Sequence, residues 1–308
     1  MSRVSTFGQT QILIQSLLDN QRKVFDDQRQ LASGKKAVTF AGLASDVASL
    51  IGAKSFKSRM ESFKGIIKNV EARVEANDVQ LNGVLTQSRE FRQTLISVLA
   101  QDEALAFREV MTESFNFTMN ALNTEVGGLF VFGGSKTDTP PINASDISDL
   151  IAAASSDDLF QNDNRPPVAR ISDNVQMEFG IVASDIASDL FASYKRIADY
   201  DANGGTGPIN GKLTAAQRTF LKAELQLFDA AIDKIQSIQT RNGLRFERLQ
   251  TLAGQHEDTL LFLEIFISEI EDTNMAEAVT RLNIDQVALE VSLQTMASLS
   301  RLSLLDFI

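Results

Sequence analysis

The sequence predicts a mainly α protein, with long antiparallel helical, coiled-coil arms from both chain ends and a small β-containing insertion in the middle. Three observations predict it. All five prolines, Pro140, Pro141, Pro166, Pro167 and Pro208, lie in the middle of the 308-residue chain, so residues 1–136 and 209–308 are free of the strongest helix breaker. Both proline-free arms repeat apolar residues at steps of three and four. Two short apolar stretches bounded by turn residues sit between the arms.

The elements follow in order. Ile14, Leu17, Leu18, Val24, Phe25 and Leu31 mark an amphipathic helix, and Ser33-Gly34 stops it, because Gly tolerates left-handed backbone at a helix end. From Val70 a heptad register runs through Asn77, Val84, Phe91 and Val98, with a companion through Val74, Leu81, Ser88 and Leu95. Seven of those nine positions are apolar, the spacing of a coiled-coil seam, while Glu71, Arg73, Glu75, Arg89, Glu90 and Arg92 lie outside it. Ala104 to Val126 is also helix-like. Leu129-Phe130-Val131-Phe132 reads as a strand entering the Gly133-Gly134 turn. Residues 143–165, rich in Ser, Asp, Ala and Asn, read as a loop or a small, loosely packed elaboration. Val168 to Ile181 alternates loosely, with Asp173-Asn174 as a hairpin turn. Residues 214–270 form one or two long helices, with Thr214 as N-cap and Asn242-Gly243 as the weakest point. In the last arm Met275, Leu282, Leu289 and Met296 recur every seven residues, accompanied by Val279 and Leu293.

Composition narrows the function. The net charge of −11 repels phosphate, so neither nucleic acid nor an anionic membrane is an expected partner. No Cys is present, which removes disulfides, thiolate nucleophiles and Cys-based metal sites. The one histidine, His256, lies among Glu257, Asp258 and other polar helix residues and is expected to be solvated. With one His and no Cys, ordinary zinc sites are excluded. Asp157, Asp158 and Asp163 lack calcium-hand spacing and read as a solvated acidic loop. Gly128 to Thr137 superficially suggests a phosphate loop, but Lys136 is displaced, bulky apolar residues intervene, and Pro140-Pro141 blocks the required helix. No nucleophile elbow of the Gly-x-Ser-x-Gly kind occurs. An enzyme is therefore not expected, nor any catalytic residue, cofactor or metal. The apolar cluster Leu260 to Ile267 is broken by Glu264 and too short to span a bilayer. Met1 to Phe7 has no apolar run of the signal-peptide kind, so no cleaved signal is expected.

A heptad stripe alone points first to an intramolecular core. The N-terminal helix tilts the reading outward. Burying its ten large apolar residues between 3 and 33 does not clearly outweigh the entropy of ordering some thirty residues. The ends are thus expected to rely on neighbours that cover them.

Four segments resemble the bacterial flagellins and their relatives. Gln28-Arg29-Gln30-Leu31-Ala32-Ser33-Gly34-Lys35-Lys36 resembles their first helix end, and Glu271-Asp272-Thr273-Asn274-Met275-Ala276-Glu277-Ala278 the acidic link opening their last helix. Gly133-Gly134-Ser135-Lys136-Thr137-Asp138-Thr139-Pro140-Pro141 and Arg301-Leu302-Ser303-Leu304-Leu305-Asp306-Phe307-Ile308 resemble the hook-associated branch that joins hook to filament. The stretch Ala37 to Asp46 departs from the family's usual Asn-Ser…Asp-Asp-Pro pattern.

The resemblance implies a structural subunit, exported without a cleaved signal peptide through the flagellar type III route and located outside the cell. A cytosolic export chaperone would bind the C-terminal helix. Assembly would be a homo-oligomeric ring touching neighbouring hook-associated and flagellin-type subunits. It also implies three parts: residues 1–45 with 272–308 as a terminal coiled-coil domain, 46–140 with 209–271 as a helical rod, and 141–208 as a variable outer domain with strands and loops. The assembly seam would be Ile14, Leu17, Leu18 and Phe25 with Leu282, Leu289, Leu293 and Met296. A filament flagellin, or a secreted coiled-coil adhesin or effector binding through 141–208, are the alternatives.

Overall fold

The computed structural model describes residues 2–37, 39, 42 and 46–305, and the side chains of 8 and 10–298 within that span. It is mainly α. Helix α1 is Ser2–Ser33, α2 is Val47–Gln101, α3 is Phe107–Leu122, α4 is Ile147–Ala152, α5 is Ala183–Ala202, α6 is Ala215–Glu271 and α7 is Met275–Leu305. Three antiparallel two-stranded ribbons supply the β content: β1 (Glu103–Ala104) with β6 (Gly211–Lys212), β2 (Glu125–Val126) with β3 (Leu129–Phe130), and β4 (Val168–Ser172) with β5 (Val175–Glu178). The chain forms two compact units, Met60–Glu257 and Met1–Arg59 with Asp258–Ile308. Helices α2 and α6 contribute to both.

In the unit of residues 60–257 the α2 heptads are the organising surface. All nine positions from Val70 to Val98 are buried, including the two polar ones, Asn77 and Ser88. Ser88 stays satisfied by donating to the carbonyl of Val84, 2.7 Å away. Helix α6 lies antiparallel to this face. Arg92 pairs with Asp229 and Lys64 with Glu257, so a step of 28 residues along α2 matches the same step back along α6. Asn242 is buried and its Nδ2 donates to the carbonyl of Val74 at 2.9 Å. The helix continues through Asn242-Gly243 without a break. Thr214 caps α6 as expected: the Gln217 N–H donates to Thr214 Oγ1 at 3.2 Å, and the Thr214 N–H to Gln217 Oε1 at 3.0 Å.

An aromatic cluster closes the core. The Phe91 ring lies 5.2 Å from Phe228, 5.3 Å from Tyr194 and 5.7 Å from Phe107, centroid to centroid, within the range of favourable edge-on, tilted and stacked pairs. The Tyr194 hydroxyl is 2.6 Å from Ser114 Oγ, so its polar end is not stranded. Tyr194 belongs to α5, which buries Ile186, Ala187, Leu190, Phe191, Ile197 and Ala198 as well. This 20-residue helix lies in a segment that reads from sequence as strands and loops. Residues 143–165 are also better anchored than expected, since Leu150 of α4 and Leu159 of a 3₁₀ turn are buried in the same core.

The β4–β5 hairpin forms at the expected place, turning at Asp173-Asn174, and packs Ile171, Met177 and Phe179 against Ile67, Val70, Val74 and Leu249. His256 corrects the sequence expectation. It is buried, not solvated: its ring stacks on Phe63 at 5.9 Å, and its Nε2 is 2.9 Å from the carbonyl of Ile171. Glu257 and Asp258 point elsewhere on the helix, so polar neighbours in sequence did not report on the face that His256 occupies.

Phe91→Ala should destabilise this unit by about 3–5 kcal/mol, because a large ring leaves a void that its neighbours cannot fill. Urea unfolding followed by far-UV circular dichroism measures it. A loss below about 1 kcal/mol would mean that Phe91 is not the centre of the core.

Candidate assembly surface on the terminal helices

Helices α1 and α7 pack antiparallel. Asn20 Nδ2 donates to Ser292 Oγ at 2.9 Å, Arg281 Nη2 to Gln30 Oε1 at 3.0 Å, and Lys35 pairs as an isolated β-bridge with Asp272. On α1 the residues turned inward are Leu13, Leu17, Asn20, Val24, Asp27 and Leu31, at steps of four and three. On α7 they are Ala278, Leu282, Asp285, Leu289, Ser292 and Met296. The interior is thin. Among the described side chains of the two helices only Val24, Asp27 and Ala278 are buried.

The eight seam candidates divide between two environments. Leu17, Leu282, Leu289 and Met296 lie half-buried on the facing surfaces. Ile14, Leu18, Phe25 and Leu293 are exposed, Phe25 to 63%. The structure therefore does not bring all eight together within one chain. Ile284, Val287 and Val291 of α7 are also more than half exposed, so α7 carries apolar residues all round. Such a helix is ordinarily enclosed on every side.

Where the pair meets the ends of α2 and α6, a knot of charge holds it. Gly34, at φ 71°, ends α1 with its N–H on the Gln30 carbonyl at 2.8 Å. Beyond it the Lys36 N–H donates to the Glu271 carbonyl at 2.7 Å and the Thr273 N–H to the Gly34 carbonyl at 2.9 Å. Lys35 Nζ reaches Asp272 at 2.6 Å and Glu271 at 3.3 Å, Lys54 also pairs with Glu271, and Ser268 Oγ donates to Asp272 at 2.6 Å. Hydrogen bonds from Lys54, then Lys35, hold the Glu271 carboxyl below its ordinary range; Lys35 and Ser268 do the same for Asp272. Asp272 in turn raises Lys35. In the sequence Lys35, Lys36, Glu271 and Asp272 stand out only as parts of two separate motifs, and Lys54 and Ser268 not at all. The 236 residues between Lys35 and Glu271 hid the pairing.

The phosphate-loop lookalike is filled from within. The Ser135 N–H and hydroxyl both donate to Asp163, and the Arg165 N–H adds a third bond at 3.2 Å. The hydrogen bonds from Ser135 hold Asp163 below the usual carboxylate range. Gly134 is required there: a Cβ would lie 2.2 Å from Asp163 Oδ1. Among the described residues no group of acidic or His side chains is arranged to hold a metal.

Compared by sequence, the chain matches no protein-family profile and none of the curated proteins. Its fold does match solved structures. A provisionally assigned flagellar hook-associated protein from Vibrio parahaemolyticus superposes with a TM-score of 0.57 at 18% identity, over 72% of this chain and 96% of that one. FlgL of Bacillus cereus superposes with a TM-score of 0.56 at 15% identity, over 70% of this chain and 98% of that one. At these identities the likeness is one of fold.

The charge knot has a pH signature. Carboxyls held below their ordinary values of 4.5 for Glu271 and 3.8 for Asp272 stabilise above those values, and lose that effect as pH falls through the lowered ones. Lys35→Gln should therefore lower the thermal midpoint at pH 7 by the equivalent of up to about 1 kcal/mol, the exposed pairs being solvent-screened. Melting wild type and variant from pH 7 down to pH 2 should show the difference closing in the acid range.

Proposed function

We propose that this chain is a non-enzymatic structural subunit of the bacterial flagellum, which joins hook to filament by forming a ring through its terminal helices after type III export. The observation that carries the reading is the surface of α1 and α7. Ile12, Ile14, Leu18, Phe25, Ile284, Val287, Val291 and Leu293 stand 40–70% exposed on a pair with hardly any interior of its own. An apolar surface of that kind on a charged, acidic chain is what an assembling helix presents before its neighbours arrive. The fold shared with two hook-associated structures and the four resembling sequence segments support the same reading.

In this proposal the seam residues act at two levels. Leu17, Leu282, Leu289 and Met296 close the pair within a subunit, while Ile14, Leu18, Phe25 and Leu293 meet other subunits. Closed rings arise when such head-to-tail contacts return on themselves. Neighbouring hook-associated and flagellin-type subunits would extend the same surface, and the exposed C-terminal helix would be the part an export chaperone covers. The three-part division expected from sequence belongs to the proposal: inner ends, a helical rod, and an outer segment at 141–208. No described helix is long and apolar enough to cross a membrane.

Phe25→Asp and Leu293→Asp test it, because both side chains already face solvent and the unassembled chain should tolerate them. Incorporation into hook-basal structures, scored by immunogold labelling, should be lost. The unfolding curve of the purified variants should match the wild type within about 0.5 kcal/mol. Normal incorporation of both variants would exclude the terminal helices as the assembly surface.

A further inference from the structure

The interior of the α1–α7 pair contains an acid pair whose charge is poorly balanced. Asp27 is only 7% exposed, yet its Oδ2 meets no hydrogen-bond donor among the described residues. Asp285, half-buried on the facing side of α7, stands opposite it in the register that Asn20 with Ser292 and Gln30 with Arg281 set. The cation beside them is Arg281, whose Nε is 3.7 Å from Asp27 Oδ1, beyond hydrogen-bond distance. The rest of that guanidinium is engaged: Nη1 donates to Glu277 at 2.9 Å and Nη2 to Gln30 at 3.0 Å. Asp27 thus faces Arg281 and Asp285 from α7, and Glu277 pairs with the same arginine.

Two carboxylates that face each other can bond to each other only by sharing a proton. We propose that Asp27 and Asp285 form a proton-sharing clasp, which fastens the two chain ends in mild acid and loosens them at neutral pH. Burial, then the charge of Asp285, raises Asp27 above its ordinary value of 3.8, against the opposing pull of Arg281. A carboxyl raised in the folded state contributes stability below the unfolded value and loses it as pH climbs through the raised one. Its sign is opposite to that of Glu271 and Asp272, which weaken only when acid protonates them below their lowered values. Pairing of the ends is therefore firmest in a window above the titration of the charge knot and below that of the clasp. The device belongs to the single chain and operates whether or not the subunit assembles.

Hydrogen exchange on the full-length monomer at pH 7.5 and pH 4.5, corrected for intrinsic exchange rates, tests it in peptides covering 20–31 and 278–292. Wild-type protection should be several-fold higher at pH 4.5. Asp27→Asn, which keeps the shape and supplies a permanent donor, should raise protection several-fold at pH 7.5 and leave it unchanged at pH 4.5. Asp285→Asn should do the same from the other side, and decides the matter if the first variant fails to fold. Wild-type protection that is equal or lower at pH 4.5 would overturn the clasp. So would lower protection in both variants at pH 7.5, since it would mean that Arg281 already neutralises the ionised pair.

Discussion

The buried stripe along α2 is the constraint from which the larger unit follows. Nine positions repeating at three and four leave that helix with one face that must be covered from end to end. Helix α6 covers part of it lengthwise, the β4–β5 hairpin covers Val70 and Val74, and the rings of α3 and α5 gather around Phe91. Each element is held by what it buries on α2 more than by its own propensity. The hairpin has only four and five residues per strand and could not stand alone.

The terminal pair obeys different physics. With three buried side chains among the described residues it lacks the interior that holds the rest together, and charge takes a larger share of the work. At one end, lysines and acids interlock around the backbone of Gly34 and Glu271; midway, an arginine is stretched between competing partners. Exposed ion pairs contribute little each. An element held this way opens at low cost, in the range of local unfolding and not of global denaturation.

Much of this was legible in the sequence, for identifiable reasons. The α2 heptads were readable because periodicity survives two polar substitutions, and Asn77 and Ser88 proved as buried as their apolar neighbours. The start of α6 was readable from Thr214 and Gln217, a local signal that distant contacts do not alter. Helix α5 was missed because nearby prolines and abundant Ser and Asp masked its apolar spacing of three and four. His256 was misread because adjacent residues on a helix face different ways. The inward acids Asp27 and Asp285 were not legible, because each is a single charge in a heptad column whose neighbours, Leu13 and Asn20 or Ala278 and Ser292, are uncharged. Pairings such as Lys35 with Asp272 need the fold itself, since nothing local links residues so far apart.

The ring pair of Phe91 and Phe228 has a consequence for how the chain finds its fold. Heptads are self-similar: sliding α6 by seven residues along α2 sets apolar against apolar again, so hydrophobic burial alone leaves several near-degenerate alignments. A backbone carbonyl recurs at every heptad and does not tell them apart, but a ring does. Only one alignment sets Phe228 edge-on to Phe91, 5.2 Å away, an arrangement that contributes about 0.5–1.5 kcal/mol beyond its burial. One aromatic contact thereby converts a sliding scale into a keyed joint, and the folding chain has one seat in which the key turns.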